Sequence, residues 1–163
     1  PLAERIDPVR DADAEARSIA RQLLADARTA ALAFVDPGTG APSISRIGFG
    51  LAPDGAALTL LSDLAQHTRA LRADPRAALL VGEPGPRGDP LNSARLSVSV
   101  TAHFVANSHP ARTPLRDLWL RDHPKSKLYV DFADFSFVRF ETIGASLNGG
   151  FGRAYRLTAT DLI

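Results

Sequence analysis

The sequence predicts a mainly β fold: six or seven mostly antiparallel strands forming a barrel, with helices at the barrel ends. Three observations carry this expectation. The stretches 43–51, 96–105 and 135–143 alternate between two residue sets at period two. Turn signals punctuate the chain, DPGTG at 36–40 and PDG at 53–55. The segments with helical spacing are short and stand before or between the strand runs.

Residues 11–27 read as an amphipathic helix that completes an N-terminal helical segment, 1–27. Ala16, Ile19, Ala20, Leu23, Leu24 and Ala27 recur at three- and four-residue spacings, with Arg17, Arg21 and Asp26 opposite. The run 29–36 is dense in small and branched apolar residues. Along 43–51, Ile44, Arg46 and Gly48 face one way, and Ser45, Ile47 and Phe49 the other. With the turn between them these two runs make a hairpin, and a third strand at 57–61 extends it to a meander. Ser62 is placed to cap a helix carrying Leu64, Thr68 and Leu71, which Asp74-Pro75 ends. The run 77–81 reads as a strand buried on both sides. The segment GEPGPRGDP, 82–90, holds three Gly and three Pro and must be irregular.

Along 96–105, Leu96, Val98 and Val100 alternate with Ser97, Ser99 and Thr101, a long half-buried strand. Residues 110–123 read as a helix around Leu115, Leu118 and Trp119, and a short helix follows at Leu128 and Tyr129. The alternation of Phe135, Phe137, Arg139 and Glu141 with Ser136, Val138 and Phe140 restores strand over 135–143. A glycine loop at 148–152 precedes a last strand at 155–157. No repeat or linker divides the chain, so 1–163 reads as one domain.

Nineteen basic and eighteen acidic residues leave a formal charge of +1, which gives no ground for a nucleic-acid or membrane partner. With no cysteine, disulfides, thiolate metal sites and a cysteine nucleophile are excluded. No apolar run reaches the roughly 18–20 residues that cross a bilayer, and the N-terminus is charged rather than signal-like. Pro1 and the lack of methionine point to a trimmed start, and a cytoplasmic location is expected.

The most informative stretch is LLSDLAQHTR, 60–69. A strand ends in Ser62, and a helix then brings His67, Thr68 and Arg69. Hydroxyls, a guanidinium and free N–H groups at a helix start make a phosphate cradle, which Arg46 on a neighbouring strand could close. Spacing alone leaves a second reading open, in which Ser62 only caps and His67 and Arg69 are solvated. The loop NGGFGR, 148–153, lacks GxGxxG spacing and reads as a turn, with Arg153 its one ligand-like member. Histidines 67, 103, 109 and 123 show no zinc spacing. His103 reads as a surface residue, His109 as part of a turn and His123 as a helix end. There is no GxSxG, and no side chain stands out as a catalytic acid or base. The aromatic cluster Tyr129, Phe132, Phe135, Phe137 and Phe140 could stack on a flat cofactor, but the strand phenylalanines 135, 137 and 140 fit a core or a dimer interface better.

Three segments in order, 60–102, 129–141 and 148–157, resemble the haem-utilisation branch of the pyridoxamine 5′-phosphate oxidase-like superfamily. The resemblance covers 28–157. It implies a six-stranded split β-barrel, a homodimer, and FMN held at the subunit interface. The flavin-contacting strand matches Ser45, Arg46 and Ile47, and the phosphate site matches Ser62, His67, Thr68 and Arg69. Arg95 matches a position from which the other subunit approaches the flavin, and Arg153 one near the same cleft. Two family features are missing here. Haem-degrading members use a histidine in a C-terminal extension, and this sequence has none after His123. The authentic oxidases carry a C-terminal tryptophan and arginine pattern, and no tryptophan follows Trp119. Neither named activity therefore carries over directly, and the leading expectation is an FMN-binding oxidoreductase acting on an unknown small molecule. A haem-binding or haem-degrading protein, liganded by one of the four histidines or Tyr129, and a non-catalytic split-barrel dimer remain the alternatives.

Overall fold

The computed structural model describes residues 7–163, which form a nine-stranded sheet and three α-helices. Helix α1, Ala14–Asp26, starts where the Asp13 carboxylate accepts the Ala16 N–H at 2.8 Å. The first residues of the predicted 11–27 helix are instead extended. Strand β1, Val9–Asp11, pairs in parallel with β9, Ala154–Leu157. Three residues are too few to show alternation, so periodicity could not find it. The part of the expected N-terminal helical segment before Asp7 lies outside the described residues.

β2, Thr29–Val35, and β3, Pro42–Gly48, form the expected hairpin, with Leu32 opposite Ser45 and Ala33 opposite Ile44. Its turn is held by the Asp36 carboxylate, which accepts the N–H groups of Gly38 and Thr39. The predicted strand 43–51 is broken at Phe49, whose N–H turns to the carbonyl of Arg28. β4, Gly50–Leu51, then pairs with β5, Ala57–Ser62, while β3 pairs with β2. Glycines allow this bend. A Cβ on Gly48 would stand 3.1 Å from the Trp119 ring, and one on Gly50 3.4 Å. The bend keeps the barrel split, because the sheet is not closed by a continuous ladder. Thr59 spans the gap by donating its hydroxyl to the carbonyl of Gly48 at 2.6 Å.

The sheet runs β1-β9-β8-β7-β6-β2-β3, with β5 also on β8. β8, Phe135–Asn148, extends five residues past the predicted end at 143. One side of it pairs with β7, Arg95–Val105; the other carries β5 along 135–140 and β9 along 145–148. A bulge at Ser99/Val100 bends this central pair. β6, Arg76–Val81, is buried on one face only, for Leu79 and Val81 point inward while Leu80 is 44% exposed. The prediction of burial on both faces is corrected: that condition belongs to β5. There Leu58 and Leu60 join Phe137, Leu115, Trp119 and Val130 in one cluster. On the opposite face Ala57 and Leu61 join Val138 and Phe140 in the main core.

Helix α2, Gln66–Ala73, follows β5, and α3, Arg112–Asp122, follows β7. The predicted short helix is a 3-10 turn, Pro124–Leu128. Trp119 anchors it by donating its indole N–H to the Ser126 hydroxyl at 3.1 Å. The six or seven strands expected become nine, mainly because β1 and β4 are too short to leave a pattern. Among the described residues no helix is long and apolar enough to cross a membrane.

Candidate functional site

The end of β5 and the start of α2 stand where sequence reasoning put a phosphate cradle, but the local chemistry differs. Ser62 is not the cap of α2. The N-cap is Ala65, and no side chain bonds the N–H groups of the first helical turn. Ser62 accepts the Leu64 N–H at 3.2 Å and donates its own proton to the Asp134 carboxylate at 2.9 Å. Its hydroxyl proton is therefore committed, and Asp134 places negative charge beside it. What faces an approaching anion is an uncapped helix start, with its unsatisfied N–H groups and the positive end of its dipole.

Around that turn the predicted residues separate into two groups. His67 is tied to Ser45, with the serine hydroxyl 2.9 Å from Nδ1, and meets Phe34 edge to face at 6.3 Å. Burial pushes the His67 imidazole below its ordinary value of 6.5, which favours a neutral ring at neutral pH. Thr68 is fully buried and its hydroxyl has no hydrogen-bond partner. Gln66 is held by Asp36 at 2.9 Å. That bond and the Thr39 N–H keep the Asp36 carboxyl below the usual carboxylate range, the backbone bond being the larger cause. Arg69 is exposed and its side chain makes no hydrogen bond or ion pair among the described residues, a condition it shares only with the side chains of Arg10, Arg46 and Arg87 among their arginines.

The second group is elsewhere. Arg46 projects from the face of β3 opposite Ser45, so within one protomer it does not join His67. Ile47 is 4% exposed and packs in the main core, which leaves only its backbone for a ligand. Arg95 heads β7, next to the far end of β8, and its guanidinium donates to the carbonyls of Leu91 at 3.0 Å and Ser93 at 3.4 Å. Arg153 pairs with Glu15 of α1 at 2.9 Å.

Sequence reasoning missed Asp134, Asp36 and Phe34. Asp36 lay in a recognised turn signal, and its reach to Gln66 carries no local mark. Asp134 meets Ser62 because β5 ends beside the start of β8, a pairing across 72 positions. The remaining histidines match their readings. His103 is exposed and bonded to Glu141 at 2.9 Å, and the His109 ring accepts the Ala111 N–H. His123 ends α3, stacked on Trp119 at 4.0 Å and bonded to the Phe49 carbonyl at 2.8 Å. No group of three or more potential metal ligands occurs among the described residues.

Residues 18–143 match the family described as pyridoxamine 5′-phosphate oxidase. The chain belongs to that family. One solved structure, 44% identical, superposes with a TM-score of 0.83 over 94% of this chain and 98% of that one. A heme binding protein from Mycobacterium smegmatis is 29% identical, with a TM-score of 0.82 over 93% of this chain and 61% of that one. The chloroplastic non-canonical heme oxygenase HOZ of Arabidopsis thaliana is 35% identical over 102 residues, 63% of this chain. That match spans 30% of the Arabidopsis protein's length. The fold is the family's split barrel, and haem proteins are among its relatives.

Proposed function

We propose that this member of the pyridoxamine 5′-phosphate oxidase family binds FMN with its phosphate at the first turn of α2, and serves as an oxidoreductase for a small molecule. Family members typically bind flavin. The observation that carries the reading here is the uncapped start of α2, flanked by the orphaned Thr68 hydroxyl and the unpartnered Arg69. These groups suit a dianionic phosphate: backbone N–H groups and a guanidinium donate, and a small shift of the first turn offers the Thr68 proton as well. Ser45 fixes the His67 ring, and through it the spacing between β3 and α2. FMN, when bound, supplies the electron transfer, while the chain supplies position and electrostatics.

The proposal includes a homodimer with the cofactor at the subunit interface. Family members are commonly dimers. On the outer face of the sheet, Ile44 is 71% and Leu80 44% exposed. Between them in the ladder lie Ala31, Ala33 and Ala78, a flat surface of small residues. Arg46 stands in the same row as Ala31 and Leu80, so a second copy seated here would bring Arg46 and the partner's surface together. Arg95 and Arg153 would reach the flavin only across such an interface.

FMN titration followed by flavin fluorescence tests the site. Arg69→Ala is expected to weaken FMN by roughly tenfold or more, as loss of a charge-assisted bond should, and to leave riboflavin unchanged. Equal loss for both flavins, or none for either, would refute the phosphate assignment.

Haem is the second reading, favoured by the two named relatives. His103 and His109 are the exposed histidines. The His109 Nδ1 accepts the Ala111 N–H, which puts the ring proton on Nε2, so iron ligation by His109 requires that bond to break or the tautomer to change. A saturable Soret band lost in His109→Ala, with no FMN binding, would establish it. A dimer that ignores both groups would establish the non-catalytic alternative.

A further inference from the structure

A cavity of about 410 Å³ opens at the other end of β5 from α2. It exists because β8 changes partners: β5 leaves it at the pair Ala57–Phe140 and β9 joins it at the pair Leu157–Ala145. Between those pairs residues 141–144 of β8 have a neighbour only in β7, so one backbone edge is without a strand. The floor is the main core itself, Leu24, Leu79, Val98, Phe140 and Leu162. Ile163 lies against Gly55 at the entrance, within 3.3 Å of where a Cβ on that glycine would stand.

The volume falls within the roughly 300–1,000 Å³ of small-molecule sites, and an apolar wall meeting an unpaired strand edge is their usual mixture. Charge selects the occupant. Arg139 spends one of its five N–H groups on Asp54, and Glu141 is bonded to His103. The rim thus carries two carboxylates against one guanidinium, with His103 adding charge only when protonated. That balance attracts a cation and repels an acid, the opposite of the α2 site.

We infer that this cleft at the split of the barrel is a second small-molecule site, for a ligand with an apolar body and a protonated amine head. It does not depend on flavin binding, for the six residues of β5 separate it from α2 by roughly 20 Å.

Methyl-labelled protein titrated with phenylbutylamine, phenylbutanol and phenylbutyrate tests the site and the head group together. Saturable shifts at the Leu24, Leu79, Val98 and Leu162 methyls are expected, with the amine bound about fivefold tighter than the acid, as exposed rim charges allow. Glu141→Gln should narrow that gap, and added FMN should not displace the amine. Because these readings use the intact chain, a cavity-filling variant such as Val98→Phe is a supplement, whose folding does not decide the question. Acid binding as tightly as amine, shifts confined to α2, or no saturation at millimolar probe would each overturn the proposal.

Discussion

Thr68 concentrates the conflict between stability and binding in one atom. A fully buried hydroxyl without a partner is costly, and Thr68→Val removes it with little change of shape. The variant should unfold about 1 kcal/mol less readily than the parent when no ligand is present, measured by urea denaturation. If the hydroxyl serves the phosphate, the same variant should bind FMN more weakly, so stability and affinity move in opposite directions. His67 offers a test by pH. Its folded-state value lies below 6.5, so on acidification the unfolded chain takes up the proton first. Stability should therefore fall as pH drops through 6.5 and level off once the folded ring is protonated. In His67→Asn that fall should be smaller, as read by unfolding free energies at about pH 7.5 and about pH 5. Of the candidate residues, His67, Thr68 and Arg69 stand together because a helix start keeps local order, while Ser45 was reached only through the family resemblance and meets His67 across 22 positions. Ser62 was legible in place but not in role. Its partner Asp134 comes from the far side of a long-range pairing, which no local pattern encodes. Alternation along β3 sends Arg46 to the face opposite Ser45, so it could meet the same ligand only from the other side of the strand.

At the scale of elements, the junction of β6 and β7 rests on one glycine. Gly82 has φ +104°, and a Cβ there would lie 2.5 Å from the Ala94 carbonyl oxygen and 2.8 Å from the Arg95 Cα. Both obstacles are backbone, so neither can rotate aside. Gly82→Ala should cost roughly 2–3 kcal/mol, as a shift in the denaturant midpoint, through strain and displacement of the segment leading into β7. An unchanged midpoint would mean that the 82–94 segment moves freely. Here the sequence was a good guide in kind, since a run with three Gly and three Pro cannot continue a strand. Which glycine bears the constraint depends on how closely the chain returns on itself. The same limit explains β3 and β4. Period-two alternation runs unbroken through 43–51, yet the strand changes partner at Phe49 because Trp119, far along the chain, fills the space beside Gly48 and Gly50.

At the scale of the whole molecule, the outer face of the sheet is the surface on which a second chain would sit. Ile44 and Leu80 stand out from a field of alanines and serines, and a lone exposed leucine would need no explanation. The pattern is more informative than either residue, because the small neighbours make the face flat enough for another sheet face to approach closely. A self-complementary patch on a two-fold axis presents each residue twice, so one substitution per chain introduces two charges into the interface. If the chain dimerises through this face as proposed, Ile44→Asp and Leu80→Asp should each yield a species of 17.4 kDa in light scattering, while leaving the fold intact by circular dichroism. The two sites in one interface then separate two causes of lost FMN binding. If the monomeric variants lose FMN as Arg69→Ala does, the flavin pocket is shared between subunits, and Arg46, Arg95 and Arg153 are free to act in trans. If they bind FMN normally, the site is complete within one chain, and those three arginines serve the fold or the interface alone. A wild-type protein that scatters as a monomer would remove the dimer, and with it every role assigned across it.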